Sequence, residues 1–248
     1  MLKIIFCFFL TMHVLGDFYF QGENQANEKR TSYKHLLVHS FIYLLVYAVG
    51  VLPFYSLTLL ISAVSLAFLH FAFDSIKFLF MKKAKCIIQD TVMYVVSQIV
   101  HLVCIATAAL ALVYMQYEVN LLPPLKEMLA YAVNDSSGIF KWVSLLLLAH
   151  KPANITIKLL INKFRPSDDS MSSMDDRQSA GAFIGTLERT VILILISIGQ
   201  YAAIGLVLTA KSVARYNKIS ENKQFAEYYL AGTLLSTLYA IITYHVIT

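Results

Sequence analysis

Apolar residues in this chain come in long runs rather than at the periods of a half-buried strand or a surface helix. Seven runs stand out, at about Leu2–Phe20, His35–Gly50, Phe54–Phe80, Thr91–Gln116, Trp142–Ile161, Phe183–Leu208 and Ala226–Val246. A helix that crosses the hydrocarbon layer needs roughly 20 apolar residues, so most of these runs are long enough to span. The second is short, and Gly50-Val51-Leu52-Pro53 predicts a tight turn into the third. His150-Lys151-Pro152 interrupts the fifth. That predicts a broken or re-entrant helix, or a short helix followed by an interfacial one. The expected fold is all-α: a polytopic integral membrane bundle of about six to seven helices. Its expected parts are a four-helix bundle over 1–116, a polar connection over 117–140, and C-terminal membrane helices with buried charges over 141–248.

Composition agrees with this pattern. Hydrophobic residues make up 58% of the 248 and charged residues 14%, whereas soluble domains carry roughly 25% charged residues. The net charge of +5 comes from Lys and Arg between the apolar runs. This distribution fits anchoring beside anionic headgroups, so the lipid bilayer is the expected partner and nucleic acid is not. Cys7, Cys86 and Cys104 lack metal or redox spacing and read as free thiols. Met1–Phe20 resembles a secretory signal, with Lys3 before an apolar run and Gly16 after it. Because it carries His13, it is read as a retained first helix.

Charge also predicts sidedness. The loop with Lys29, Arg30 and Lys34 and the loop with Lys77, Lys82, Lys83 and Lys85 lie on one side if the second and third runs form a hairpin. The positive-inside rule places that side in the cytoplasm. Tyr117–Phe140, with Glu118, Glu127 and Asp135, then faces outward. Lys211, Arg215, Lys218 and Lys223 reach the cytoplasm only if the fifth run does not fully cross. Ser167–Ser179 is polar, carries four aspartates, and reads as a solvated linker.

Candidate chemistry lies in the polar residues inside the apolar runs. Each ionisable group there costs about 2.5–3.5 kcal/mol on insertion, so it marks a candidate site. His13 with Asp17, His35 with His39 and His70 with Asp74 are i,i+4 pairs, each on one helix face. His101 follows Ser97-Gln98 in the fourth run. At 1.5 Å per residue, all four clusters fall at similar depth in the cytoplasmic half. That is the arrangement of a helical-bundle metal site, with His13, Asp17, His35, His39, His70, Asp74 and His101 as candidate ligands.

Imidazole and carboxylate donors without paired Cys suit Zn, Fe or Mn. Such an ion would acidify a bound water, with Asp17 or Asp74 as catalytic base. The expected activity is metal-dependent hydrolysis of an amphiphilic, lipid-linked substrate such as a phospholipid or prenyl-linked phosphate, near the cytoplasmic face. The alternative is non-enzymatic: a cation or proton pathway, or a packing module for a partner. Polar residues thin out beyond His101, which disfavours a pathway. His35-x3-His39 resembles a desaturase histidine box, but the clustered histidines are too few to rank a di-iron oxygenase above hydrolysis. In the second half, Glu188 and Arg189 are expected to satisfy Lys211 or Glu227 across helices, and Gly181-x3-Gly185 to allow close helix approach.

Taken together, several motifs resemble a bacterial membrane family known as domain of unknown function 3307. They are His13-x3-Asp17-Phe18-x2-Gln21, His35-x3-His39, His70-x3-Asp74 and Gln98-x2-His101, continued by Gly185-x-Leu187-Glu188-Arg189, Gly199-Gln200, Ala210-Lys211-Ser212 and Ala226-Glu227-Tyr228. The resemblance covers nearly the whole chain. It implies a helical fold and placement in a bacterial plasma membrane, but carries no established activity. Where that family tends to have Asp-Gln, this chain has Ser97-Gln98, so the fourth run offers no carboxylate ligand at that position. The pattern is also similar to that of membrane-bound metal-dependent hydrolases, as an analogy of arrangement.

Overall fold

A computed structural model describes residues 1–21, 32–54, 56–83, 87–117, 122–123, 136–164 and 174–248, with backbone alone at 81–83, 87–90, 136–137, 163 and 174–179. Among these residues there are helices and no strands. The helices are α1 (Leu2–Val14), α2 (Tyr33–Val51), α3 (Leu57–Lys83), α4 (Ile87–Tyr114), α5 (Ser136–Ala149), α6 (Lys151–Ile161), α7 (Met174–Ser197), α8 (Tyr201–Val213), α9 (Tyr216–Glu221) and α10 (Lys223–Ile247). Seven stretches of the described residues are long and apolar enough to cross a membrane. Most of the expected 117–140 connection, residues 167–173 of the expected linker, Lys29, Arg30, Lys85 and Cys86 lie outside what is described, while residues 174–179 of that linker are not a loop but the first residues of α7. Cys7 and Cys104 are free thiols.

The chain forms two compact units, Met1–Ser144 and Leu145–Thr248. In the first, α1 to α4 surround a core that includes Phe8, Phe9, Tyr47, Leu59, Ile105 and Leu112. Ala63 on α3 and Ala109 on α4 are fully buried, small enough for helices to approach closely where lipid offers no hydrophobic incentive to associate. Polarity runs inside out. On α3, Leu57, Ile61, Val64 and Phe68 are exposed while His70 and Asp74 are buried, a surface that water would penalise and hydrocarbon tolerates. α2 ends in a 3₁₀ turn, Leu52–Phe54, where Pro53 brings the chain round to α3. The Pro53 carbonyl accepts from Leu122 N–H at 2.9 Å.

In the second unit, the break expected at His150-Lys151-Pro152 separates α5 from α6, and Pro152 sits in the first turn of α6. The break frees the Ala149 carbonyl, which accepts from Arg189 Nε at 2.6 Å. Arg189 also donates to Asn154 Oδ1 at 2.5 Å and Ser236 Oγ at 3.1 Å. Glu188 pairs with Lys211, as expected, but Arg189 binds neutral acceptors and Glu227 is exposed. Two expectations are corrected here. The run Phe183–Leu208 is two helices, because Gly199 at φ +72° turns the chain between α7 and α8. Gly181 has open space around it, and Gly185 makes room for the Arg189 guanidinium of its own helix rather than for a neighbouring backbone.

Arg189→Leu should destabilise the second unit by about 3 kcal/mol or more, since the Ala149 carbonyl, Asn154 Oδ1 and Ser236 Oγ each lose a donor at about 1–3 kcal/mol apiece. Thermal unfolding in detergent checks this, and an unchanged midpoint would count against the capping role.

Candidate metal centre

Local geometry on α1 sets the position of the first pair. After His13, the helix widens into a π turn, Leu15–Tyr19, with Phe20 N–H bonded to the Leu15 carbonyl at 2.9 Å. Such turns often re-aim side chains at functional sites, and this one carries Asp17. Gly16, within the turn, lies against the ring of Tyr43, where an added Cβ would meet Cδ2 at 2.7 Å.

Six of the seven candidate ligands come together inside the first unit. A nitrogen from each of His13, His70 and His101 lies within 4.8 Å of the other two. Donor atoms of Asp17, His39, His70 and Asp74 form a second group by the same measure, so His70 belongs to both. His35, one turn before His39, belongs to neither group. His13, His39, His70 and His101 are at most 4% exposed. Asp17 is the most open of the second group, with 9% of its side chain accessible.

Distances within the groups are specific. His39 Nε2 lies 3.4 Å from Asp17 Oδ1 and 3.8 Å from Asp74 Oδ2, and His70 Nε2 lies 3.7 Å from Asp17 Oδ1. Charge-assisted hydrogen bonds are shorter, at about 2.7–2.9 Å. Both ring nitrogens of His70 and of His101 are buried with no hydrogen-bond partner among the described residues. Buried polar atoms are nearly always satisfied, and an imidazole carries two such atoms. The His70 ring stacks between Tyr43, at a centroid distance of 3.8 Å, and His101, at 4.2 Å. That fixes its plane.

Polar neighbours hold the remaining atoms. Gln98 Nε2 donates to Asp17 Oδ2 at 2.8 Å, which leaves Oδ1 turned towards His39 and His70. Gln98 Oε1 lies 3.3 Å from His13 Nε2, and His13 Nδ1 lies 2.9 Å from the Tyr43 hydroxyl. Tyr43 donates to Tyr47, and Tyr47 to the Phe9 carbonyl. Ser97 takes no part in this arrangement; its hydroxyl accepts from Lys77 at 3.2 Å and donates to the Tyr94 carbonyl.

Tyr43 and Tyr47 are the residues that the sequence reading missed. The signal was present, because His35, His39, Tyr43 and Tyr47 recur every four residues along one face of α2. Tyrosine in a membrane helix is ordinarily read as an interfacial anchor, which hides such a stripe.

With the geometry described, the comparisons with known proteins can be placed. The model of the family described as "Protein of unknown function (DUF3307)" matches residues 5–129, half of the 248-residue chain, and the chain belongs to that family. The matched region contains all six converging residues. No curated protein and no solved structure matches the chain.

Gly16→Ala should displace the Tyr43 ring and cost about 1–3 kcal/mol by overpacking, read as a lower unfolding temperature in detergent. Adding Tyr43→Phe should cost less in the Gly16→Ala background than in the unmutated protein, because a displaced ring has already weakened the hydroxyl's hydrogen bonds to His13 and Tyr47. Full additivity would contradict that coupling.

Proposed function

We propose that the first unit is a membrane-embedded metal-dependent hydrolase acting on an amphiphilic, lipid-linked phosphate. The observation that carries this reading is the convergence of Asp17, His39, His70 and Asp74, whose donor atoms lie within 4.8 Å of one another, three of the pairs at 3.4 to 3.8 Å. A tetrahedral ion with bonds of about 2.0–2.1 Å holds its ligand atoms about 3.3 Å apart, and an octahedral one holds trans ligands about 4.2 Å apart. Those three separations fall between these limits and are longer than charge-assisted hydrogen bonds. Zn, Fe or Mn suits the mixed imidazole and carboxylate donors.

Charge supports the same reading. Two carboxylates in an apolar bundle need compensation, and one divalent ion supplies it. Gln98 on Asp17 Oδ2 then acts as the outer partner that orients a ligating carboxylate. A divalent ion here would supply Lewis acidity and a water acidified towards neutrality. Asp17 has contacts on both oxygens and serves as ligand; Asp74 is the proton acceptor. The water oxygen bonds to phosphorus as Asp74 takes its proton. The bond from phosphorus to the lipid oxygen breaks, and Asp74 returns the proton to that leaving oxygen. Asp17 is the most open of the four residues, which favours substrate access from the π turn. Lysines flanking the adjacent loops favour the cytoplasmic side of the membrane.

Protein purified without chelators should carry stoichiometric divalent metal by elemental analysis, and His39→Ala should reduce it at least tenfold. Hydrolysis of a prenyl or diacylglyceryl phosphate should fall by about 10²-fold or more in Asp74→Asn. Metal-free unmutated protein would sink the reading, and metal without hydrolysis would leave a cation-binding protein that is not an enzyme.

A further inference from the structure

We infer that the centre holds two divalent ions, the second bound by His13 Nε2, His101 and Gln98 Oε1. The inference rests on the metal reading above and extends it. Hydrogen positions along the tyrosine chain supply the first argument. The Phe9 carbonyl can only accept, so the Tyr47 hydroxyl hydrogen goes to it. The Tyr43 hydrogen goes to Tyr47. Tyr43 therefore accepts from His13, and the His13 proton sits on Nδ1, 2.9 Å away.

A neutral His13 thus presents a lone pair at Nε2. The atom facing it at 3.3 Å is Gln98 Oε1, another acceptor, because the amide nitrogen of Gln98 is committed to Asp17. Two acceptors in apolar surroundings repel unless a cation lies against both. His101 adds a third donor. Its ring centroid is 5.3 Å from that of His13, and both of its nitrogens are buried without a hydrogen-bond partner among the described residues. His70 Nε2 faces Asp17 and serves the first ion. A neutral imidazole ligates through one nitrogen only, so His70 stands beside the second ion without being needed by it.

Two ions change the substrate argument. Asp17 and Asp74 balance the charge of one divalent ion, and a second leaves the centre with a surplus of two positive charges. Three protein donors also leave the second ion open positions. A phosphate dianion matches both features, in the manner of two-metal phosphoryl-transfer sites. This singles out a phosphate monoester or diphosphate over a neutral ester or an amide as the headgroup cleaved.

Titration of chelator-stripped protein in detergent with Mn(II) tests the inference. The unmutated protein should bind two equivalents and show the exchange-coupled multiline EPR spectrum of adjacent ions, and His101→Ala should bind one and show an uncoupled six-line spectrum. One equivalent with an uncoupled spectrum in the unmutated protein overturns the second ion and leaves the single-ion reading standing. No bound Mn(II) in the unmutated protein overturns both. The EPR spectrum of the unmutated protein decides the matter even where His101→Ala does not fold.

Discussion

The constraint that shapes the first unit is the cost of removing imidazoles and carboxylates from water. Each of these groups would be cheap at a membrane surface, yet His13, His39, His70, Asp74 and His101 are almost wholly buried between apolar helices. Several kcal/mol per ionised group must be recovered inside the bundle. Part of that recovery is visible as a hydrogen-bond chain from the Phe9 carbonyl through Tyr47 and Tyr43 to His13, and as the separate bond from Gln98 to Asp17. These bonds tie α1 to α2 and to α4, and the stacking of His70 on Tyr43 and His101 adds α3. What these bonds leave unsatisfied, the nitrogens of His70 and His101, is what a cation would complete.

The π turn of α1 and Gly16 fit the same constraint. A regular helix would continue past His13 without the widened turn that carries Asp17. Gly16 leaves the Tyr43 ring room to lie across the helix. In the second unit the solution differs in kind. Arg189 spends its donors on the carbonyl freed by the break at His150 and on neutral side chains, while Glu188 and Lys211 neutralise one another. Buried charge there goes into holding a broken helix, and among the described residues of that unit no group of histidines and carboxylates converges on a common point.

Much of this was legible in the sequence because membrane helices restrict what polar residues can do. Hydrophobic runs gave the spans, and i,i+4 pairs gave the faces. The break at Pro152 followed from proline's missing donor. Three features were not legible for identifiable reasons. The turn at Gly199 sits in an apolar run, where a single glycine is ambiguous between packing and a bend. The His35 pairing read as equal to the others, but the convergence lies one turn further along α2, at His39. Tyr43 and Tyr47 showed the right spacing but the wrong residue type for a ligand search. Partner choice across helices is a tertiary property, and spacing along one helix does not encode it.

X-ray absorption at the metal edge, on protein reconstituted in lipid and loaded with Zn(II), bears most directly on the claim that these helices converge on an ion. The account requires a first shell of nitrogen and oxygen near 2.0–2.1 Å, with outer-shell scattering from at least two imidazoles. A shell of oxygen alone, without imidazole scattering, would mean that the histidines serve packing and that any metal sits elsewhere.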